Sequence, residues 1–168
     1  MRSATDAPAV DPGTMRSVFG HFATGVCVLG LETADGEAVG MTLNSFTSVS
    51  LDPPLLLVCL GHFLRSHDHA VSAPGFGISV LAQGQEEVSN RFATRDGPKW
   101  RGFDAIRGQR GGLLVPGALA HFDCVSERTE GVGDHTLLIG RVVGCRAELE
   151  AGPLLFFRGR YDALPTAA

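Results

Sequence analysis

The 168-residue chain has no run of basic residues. Its 14 Lys and Arg are scattered among 18 Asp and Glu, giving a formal net charge of −4. Such a surface has no electrostatic drive toward nucleic acid or an anionic membrane. The longest apolar run, Leu55 to Leu60, is far too short to cross a bilayer. Met1 to Pro12 lacks the basic start and apolar stretch of a secretory signal. The four cysteines, Cys27, Cys59, Cys124 and Cys145, form no CxxC pair, so neither a zinc site nor a redox dithiol is indicated. Each sits among apolar neighbours, which reads as buried, reduced thiols in a cytoplasmic protein. Neither GxGxxG nor a P-loop occurs, so a bound nucleotide would not be held by a Rossmann unit. There is no internal repeat and no regular βα alternation, which argues against a doubly wound parallel sheet.

What is present is a packed, glycine-rich chain. Hydrophobic residues make up 44% and the 22 glycines are dispersed without a triplet period, a pattern that favours a β-rich fold with many turns. Residues 1–13 and 165–168 read as tails around one domain spanning 14–164. Thr14 to Phe22 reads as a helix capped by Thr14, with Met15, Val18, Phe19 and Phe22 on one face. Strands are expected at Thr24 to Glu32, Ala38 to Thr42, Phe46 to Leu51, Leu55 to Leu60 and Phe76 to Leu81. Further strands fall at Leu119 to Thr129 and Thr136 to Leu149, and a last short one at Leu154 to Phe157. Ala34-Asp-Gly-Glu37 is a hairpin turn. Arg65 to Val71 and Gln85 to Ala93 read as helices, and Thr94 to Gly117 as a long irregular loop. The sum points to an antiparallel barrel with a few short helices.

Three segments could carry chemistry. From Thr42 to Ser50 the chain offers the hydroxyls of Thr42, Ser45, Thr47, Ser48 and Ser50 and the amide of Asn44, with no charge before Asp52. This suits a ligand needing neutral hydrogen-bond donors; facing water, the same residues would be an ordinary polar strand. Arg65 and Ser66, at an expected helix start, could hold a phosphate or form an exposed turn. Gly133-Asp134-His135 sits at a hairpin mouth, where His135 could meet a nicotinamide or move a proton, or be simply solvated. His62, His67 and His69 crowd together, yet their irregular spacing and lack of a Cys or Glu partner argue against a metal.

Thr42 to Leu60 (TLNSFTSVSLDPPLLLVCL) resembles the signature of the short-chain flavin reductases, the reductase components of two-component flavin monooxygenases. FGHFATGVCVLG (Phe19 to Gly30), SVLAQGQEEVSNRFA (Ser79 to Ala93), GDHTLLIGRVV (Gly133 to Val143) and PLLFFRGRY (Pro153 to Tyr161) agree in order and spacing. The resemblance implies an all-β-dominated fold, a Greek-key split β-barrel with a few short helices, forming a homodimer. It further implies an NAD(P)H-dependent flavin reductase that uses FMN or FAD with NADH or NADPH and supplies an oxygenase with reduced flavin. Thr42, Asn44, Ser45, Phe46, Thr47 and Ser48 would line the isoalloxazine and phosphate, Arg65 and Ser66 the phosphate, and His135 and Tyr161 the nicotinamide. Phe63 departs from the family, which usually carries a small polar residue there. Two other readings stay open at this point: a split-barrel flavoprotein with tightly bound flavin acting as an oxidase, and a non-catalytic binding module.

Overall fold

The computed structural model describes residues 10–148 and 150–164. The chain opens with α1 (Pro12–Phe19), whose N-cap is Asp11 and not Thr14: the Asp11 carboxylate accepts the Thr14 backbone N–H at 2.7 Å and also its hydroxyl. Pro12 fits the first helical position because no intrahelical partner is lost there. The helix is shorter than expected and ends before Phe22, so only Met15, Val18 and Phe19 of the expected apolar face lie on it, and nothing in the described chain covers them: Val18 and Phe19, with the following Phe22, are each more than 60% exposed.

The remainder is dominated by strands. In chain order these are β1 (Thr24–Gly25), β2 (Cys27–Glu32), β3 (Ala38–Leu43), β4 (Thr47–Leu51) and β5 (Pro54–Gly61), then α2 (His67–Ser72), β6 (Gly75–Val80) and α3 (Glu86–Ala93). After them come β7 (Ile106–Arg107), β8 (Leu113–Leu114), β9 (Ala120–Val132), β10 (His135–Ala147), β11 (Leu154–Phe157) and β12 (Arg160–Ala163). One antiparallel sheet has the order β3-β2-β6-β9-β10-β5-β4, and β1, β11 and β12 form a second, smaller one. Leu154 to Phe157 is therefore not the last strand; Arg158-Gly159 turns it into β12.

The order of the larger sheet forces it to curl. Its two edges, β3 and β4, are separated in sequence only by Asn44, Ser45 and Phe46. Seven flat strands would place the edges roughly 29 Å apart, whereas Leu43 to Thr47 spans at most about 14 Å. The sheet must close on itself, yet β3 and β4 share no ladder, so the barrel is split along that seam.

Burial on both faces of β2 explains its continuous apolar run. Cys27, Leu29 and Leu31 join the barrel core with Val58, Leu60, Phe76, Ile78 and Leu138. Val26 and Val28 point the other way, toward Leu81, Phe92, Trp100, Val115 and Leu154, as strand alternation requires. The stretch from Thr94 to Gly117 is irregular as expected, apart from β7 and β8, but it is packed into the core. Trp100, Leu113, Leu114 and Val115 are buried, Trp100 Nε1–H donates to the Val39 carbonyl at 3.0 Å, and β7 pairs with β8. A Cβ at Gly40 would lie 2.5 Å from the Phe92 ring and 3.0 Å from Trp100 Nε1, so only glycine admits these rings. The β9–β10 link is also tighter than expected: Val132 pairs with His135, leaving Gly133 (φ 61°) and Asp134 as a two-residue turn. Glycine at the first central position suits that geometry. The cysteines are all free, with Cys27 and Cys124 buried and Cys145 exposed, the last against expectation.

Candidate functional site

A groove of about 540 Å³ opens at the seam where the barrel is split. Its floor is the end of β3 and the following Asn44 and Ser45. Its walls come from β5, the Phe63–Ser66 link, the C-terminal end of α3 and His135 at the start of β10. Of the residues expected from sequence, Thr42, Asn44, Ser45, Arg65, Ser66 and His135 line this groove. Tyr161 lines an adjoining pocket of about 210 Å³ that shares Thr42, Leu43 and Asn44 with it. Phe46, Thr47 and Ser48 do not line the groove. Phe46 turns toward the barrel core, its ring 5.4 Å from that of Phe122, and Thr47 and Ser48 are exposed on β4.

The hydroxyls of the floor are already engaged, contrary to the expectation of free donors. Thr42 Oγ1 donates to the Ser89 carbonyl at 2.7 Å. Ser45 Oγ accepts the Cys59 N–H and donates to the Cys59 carbonyl. Asn44 Nδ2 donates to Thr24 Oγ1 at 3.3 Å. A ligand over this floor therefore meets the acceptor side of Thr42 and, at Asn44, the carbonyl oxygen and the second Nδ2–H. Tyr161 braces the same region from behind: its hydroxyl donates to Asn90 Oδ1 at 3.0 Å and lies 2.8 Å from Ser89 Oγ.

Cations gather along one border. Arg65, Ser66, Arg95 and Lys99 line both the groove and a second cleft of about 290 Å³. Ser66 has no side-chain bond to the start of α2, so its hydroxyl stands ready for another partner. Lys99 Nζ donates to the Gly40 and Phe92 carbonyls, both at 3.0 Å, and ties β3 to α3. Burial pushes its pKa down from the usual lysine range, and Asp96 acts in the opposite direction. Arg95 and Lys99 were missed by sequence reasoning because they lie in the stretch taken for a loop; no local spacing marks them.

His135 sits opposite Gly61 in the β5–β10 register, and its Nδ1 lies 2.7 Å from Asp134 Oδ1. This hydrogen bond is the main reason that the Asp134 carboxyl is held below the usual range. With Nδ1 so oriented, Nε2 remains for a ligand. The Phe63 ring stands edge-on to His135 at 6.3 Å and covers Gly61, where a Cβ would come within 2.3 Å of the ring. Only two histidines of the stretch converge: His62 and His67 both meet the Thr136 hydroxyl, at 3.2 and 2.9 Å, with their rings 5.1 Å apart, while His69 lines the second cleft. Among the described residues no three potential metal ligands come together.

A neutral floor offering both acceptors and an amide donor, an exposed aromatic edge and a cationic border suit a flat heteroaromatic ligand with an anionic tail. The family model described as "Flavin reductase like domain" matches residues 19–165. The chain belongs to the flavin reductase-like family. Within that family it is 38% identical over 161 residues to the flavin-dependent monooxygenase reductase subunit HsaB of Rhodococcus jostii, covering 96% of this chain and 82% of that one. A Rhizobium meliloti protein named "Probable flavin reductase" is 43% identical over 136 residues; these cover 81% of this chain, but the chain spans only 44% of that longer protein. Among solved structures, the NADH:FAD oxidoreductase SgcE6 of Streptomyces globisporus, in complex with NAD and FAD fragments, superposes with a TM-score of 0.87. It shares 38% identity and covers 96% of this chain and 99% of that one.

Proposed function

We propose that this chain is an NAD(P)H:flavin oxidoreductase that reduces FMN or FAD and releases the product to a partner oxygenase. The observation that carries the reading is the seam groove, with a neutral floor at Thr42–Ser45 and a cationic border at Arg65, Arg95 and Lys99. Arg65 and Ser66 are assigned to the flavin phosphate, Thr42, Asn44 and Ser45 to the isoalloxazine. His135 is assigned to the nicotinamide side, and Tyr161 to the adjoining pocket next to it. The neutral floor and cationic border of the groove fit a flavin; a bound flavin would supply the hydride acceptor, and the protein would supply stacking and orientation, with no catalytic acid or base needed. Hydride from a bound nicotinamide, with one solvent proton, would account for full reduction of the flavin without a proton from the protein. NADH is the favoured donor because it is the one named for SgcE6, and the oxygenase partner follows from the role named for HsaB.

The uncovered apolar face of α1 supports a homodimer, since monomers rarely expose such clustered residues. Four free thiols support a reducing, cytoplasmic setting. The test is anaerobic oxidation of NADH and NADPH with FMN and FAD varied to saturation. Nicotinamide oxidation matched one-to-one by flavin reduction, with flavin behaving as a substrate, supports the reading. Absence of nicotinamide oxidation with either flavin overturns it, and tightly held flavin without turnover would favour the oxidase or binding-module reading instead.

A further inference from the structure

Arg65 belongs to two cavities at once, the seam groove and the neighbouring cleft. On the cleft side its guanidinium Nη1 is paired with Asp96 Oδ1. Both side chains are about two-thirds exposed, 65% and 66%, so the pair is readily exchanged for another partner. Asp96 is the carboxylate nearest in sequence to the cationic border. Arg95 precedes it, and Lys99, whose charge it also favours, follows it. Glu37 lines the same cleft, but its hydrogen bonds run through its backbone to Thr33, and among the described residues its carboxylate pairs with none of these cations.

We propose that Asp96 is a positioning residue that occupies Arg65 when the groove is empty and competes with the phosphate of the flavin for it. This rests on the assignment of Arg65 to that phosphate. A guanidinium is a planar fork of five donors that matches a carboxylate and a phosphate equally well. An arriving phosphate must either displace Asp96 or sit beside it, and two like charges at one cation repel. In either case the affinity for phosphate-bearing flavins is held below what the cations alone would give. Weak holding suits a flavin that leaves after reduction. A flavin without phosphate does not experience the competition.

The test measures dissociation constants of FMN, FAD and riboflavin by flavin fluorescence for the full chain and for Asp96→Asn, Arg65→Gln and the double variant. Asp96→Asn is expected to bind FMN and FAD about three- to fivefold more tightly and riboflavin unchanged. The gain is expected to vanish when Arg65→Gln is also present. If Arg65→Gln loses no affinity for FMN relative to riboflavin, the phosphate assignment fails and the proposal with it. If Arg65→Gln does lose affinity but Asp96→Asn tightens nothing, or tightens riboflavin equally, the competition alone is overturned and the phosphate assignment stands.

Discussion

The Ser45 hydroxyl engages both backbone groups of Cys59, accepting its N–H at 2.9 Å and donating to its carbonyl at 3.1 Å. A side chain thereby extends the β4–β5 ladder into the seam, where the backbone of the β3–β4 link has left it. Ser45→Ala removes both bonds and leaves part-buried peptide groups unmatched. The expected cost is about 1–3 kcal/mol, read as a lower urea midpoint, together with a raised KM for flavin because the groove floor loosens.

Gly40→Ala is expected to act from behind the groove. Its new methyl would meet the Phe92 ring at 2.5 Å, and overpacking of this kind costs about 1–3 kcal/mol. Trp100 is the only tryptophan, so its fluorescence reports the repacking directly. A variant with unchanged emission and unchanged urea midpoint would contradict the packing described.

The cysteines are expected to separate by accessibility. Burial pushes Cys27 and Cys124 up to about 12, and a thiol that stays protonated reacts slowly. Cys145 is exposed and should titrate rapidly with a thiol reagent in the folded protein, with all four reacting after denaturation. Cys59 lines the groove and its pKa is raised by burial; its slower modification should be suppressed by saturating flavin. Mass spectrometry of the modified peptides distinguishes the sites.

His121 sets a pH dependence of stability. It is 4% exposed, its Nε2 lies 2.6 Å from the Val115 carbonyl, and Nδ1 accepts from Arg146 Nε. Burial pushes its pKa below the ordinary 6.5, Arg146 adds to that, and the Val115 carbonyl opposes it. The unfolded chain therefore binds this proton first as pH falls. Its contribution is fully present above 6.5 and is lost as pH drops from there through the lower folded value. Urea midpoints measured from about pH 7.5 to about pH 5 should fall less steeply in His121→Gln than in the wild type.

Local patterns were enough to determine much of this protein. Asp35-Gly36 between two apolar stretches placed the first hairpin, the buried run at Leu55–Leu60 placed β5, and Val88 and Phe92 placed α3, because turns and short apolar or helical patterns depend on near neighbours. The polar stretch from Thr42, Arg65 with Ser66, and His135 were also legible as site candidates, and the groove brings them together. Other features were decided only by long-range contacts. Trp100 anchors a stretch that looks like loop because Gly30 and Gly40, far away in sequence, leave room for its ring. Ser45 and Thr42 cease to be free donors because Cys59 and Ser89 are brought against them. Phe46 leaves the site because Phe122 receives it on the core side. Arg95 and Lys99 reach the groove, and Asp96 the neighbouring cleft, because curling of the sheet sets α3 and its C-terminal extension beside β3. Sequence spacing records what a residue can do, whereas packing determines which partner has already claimed it.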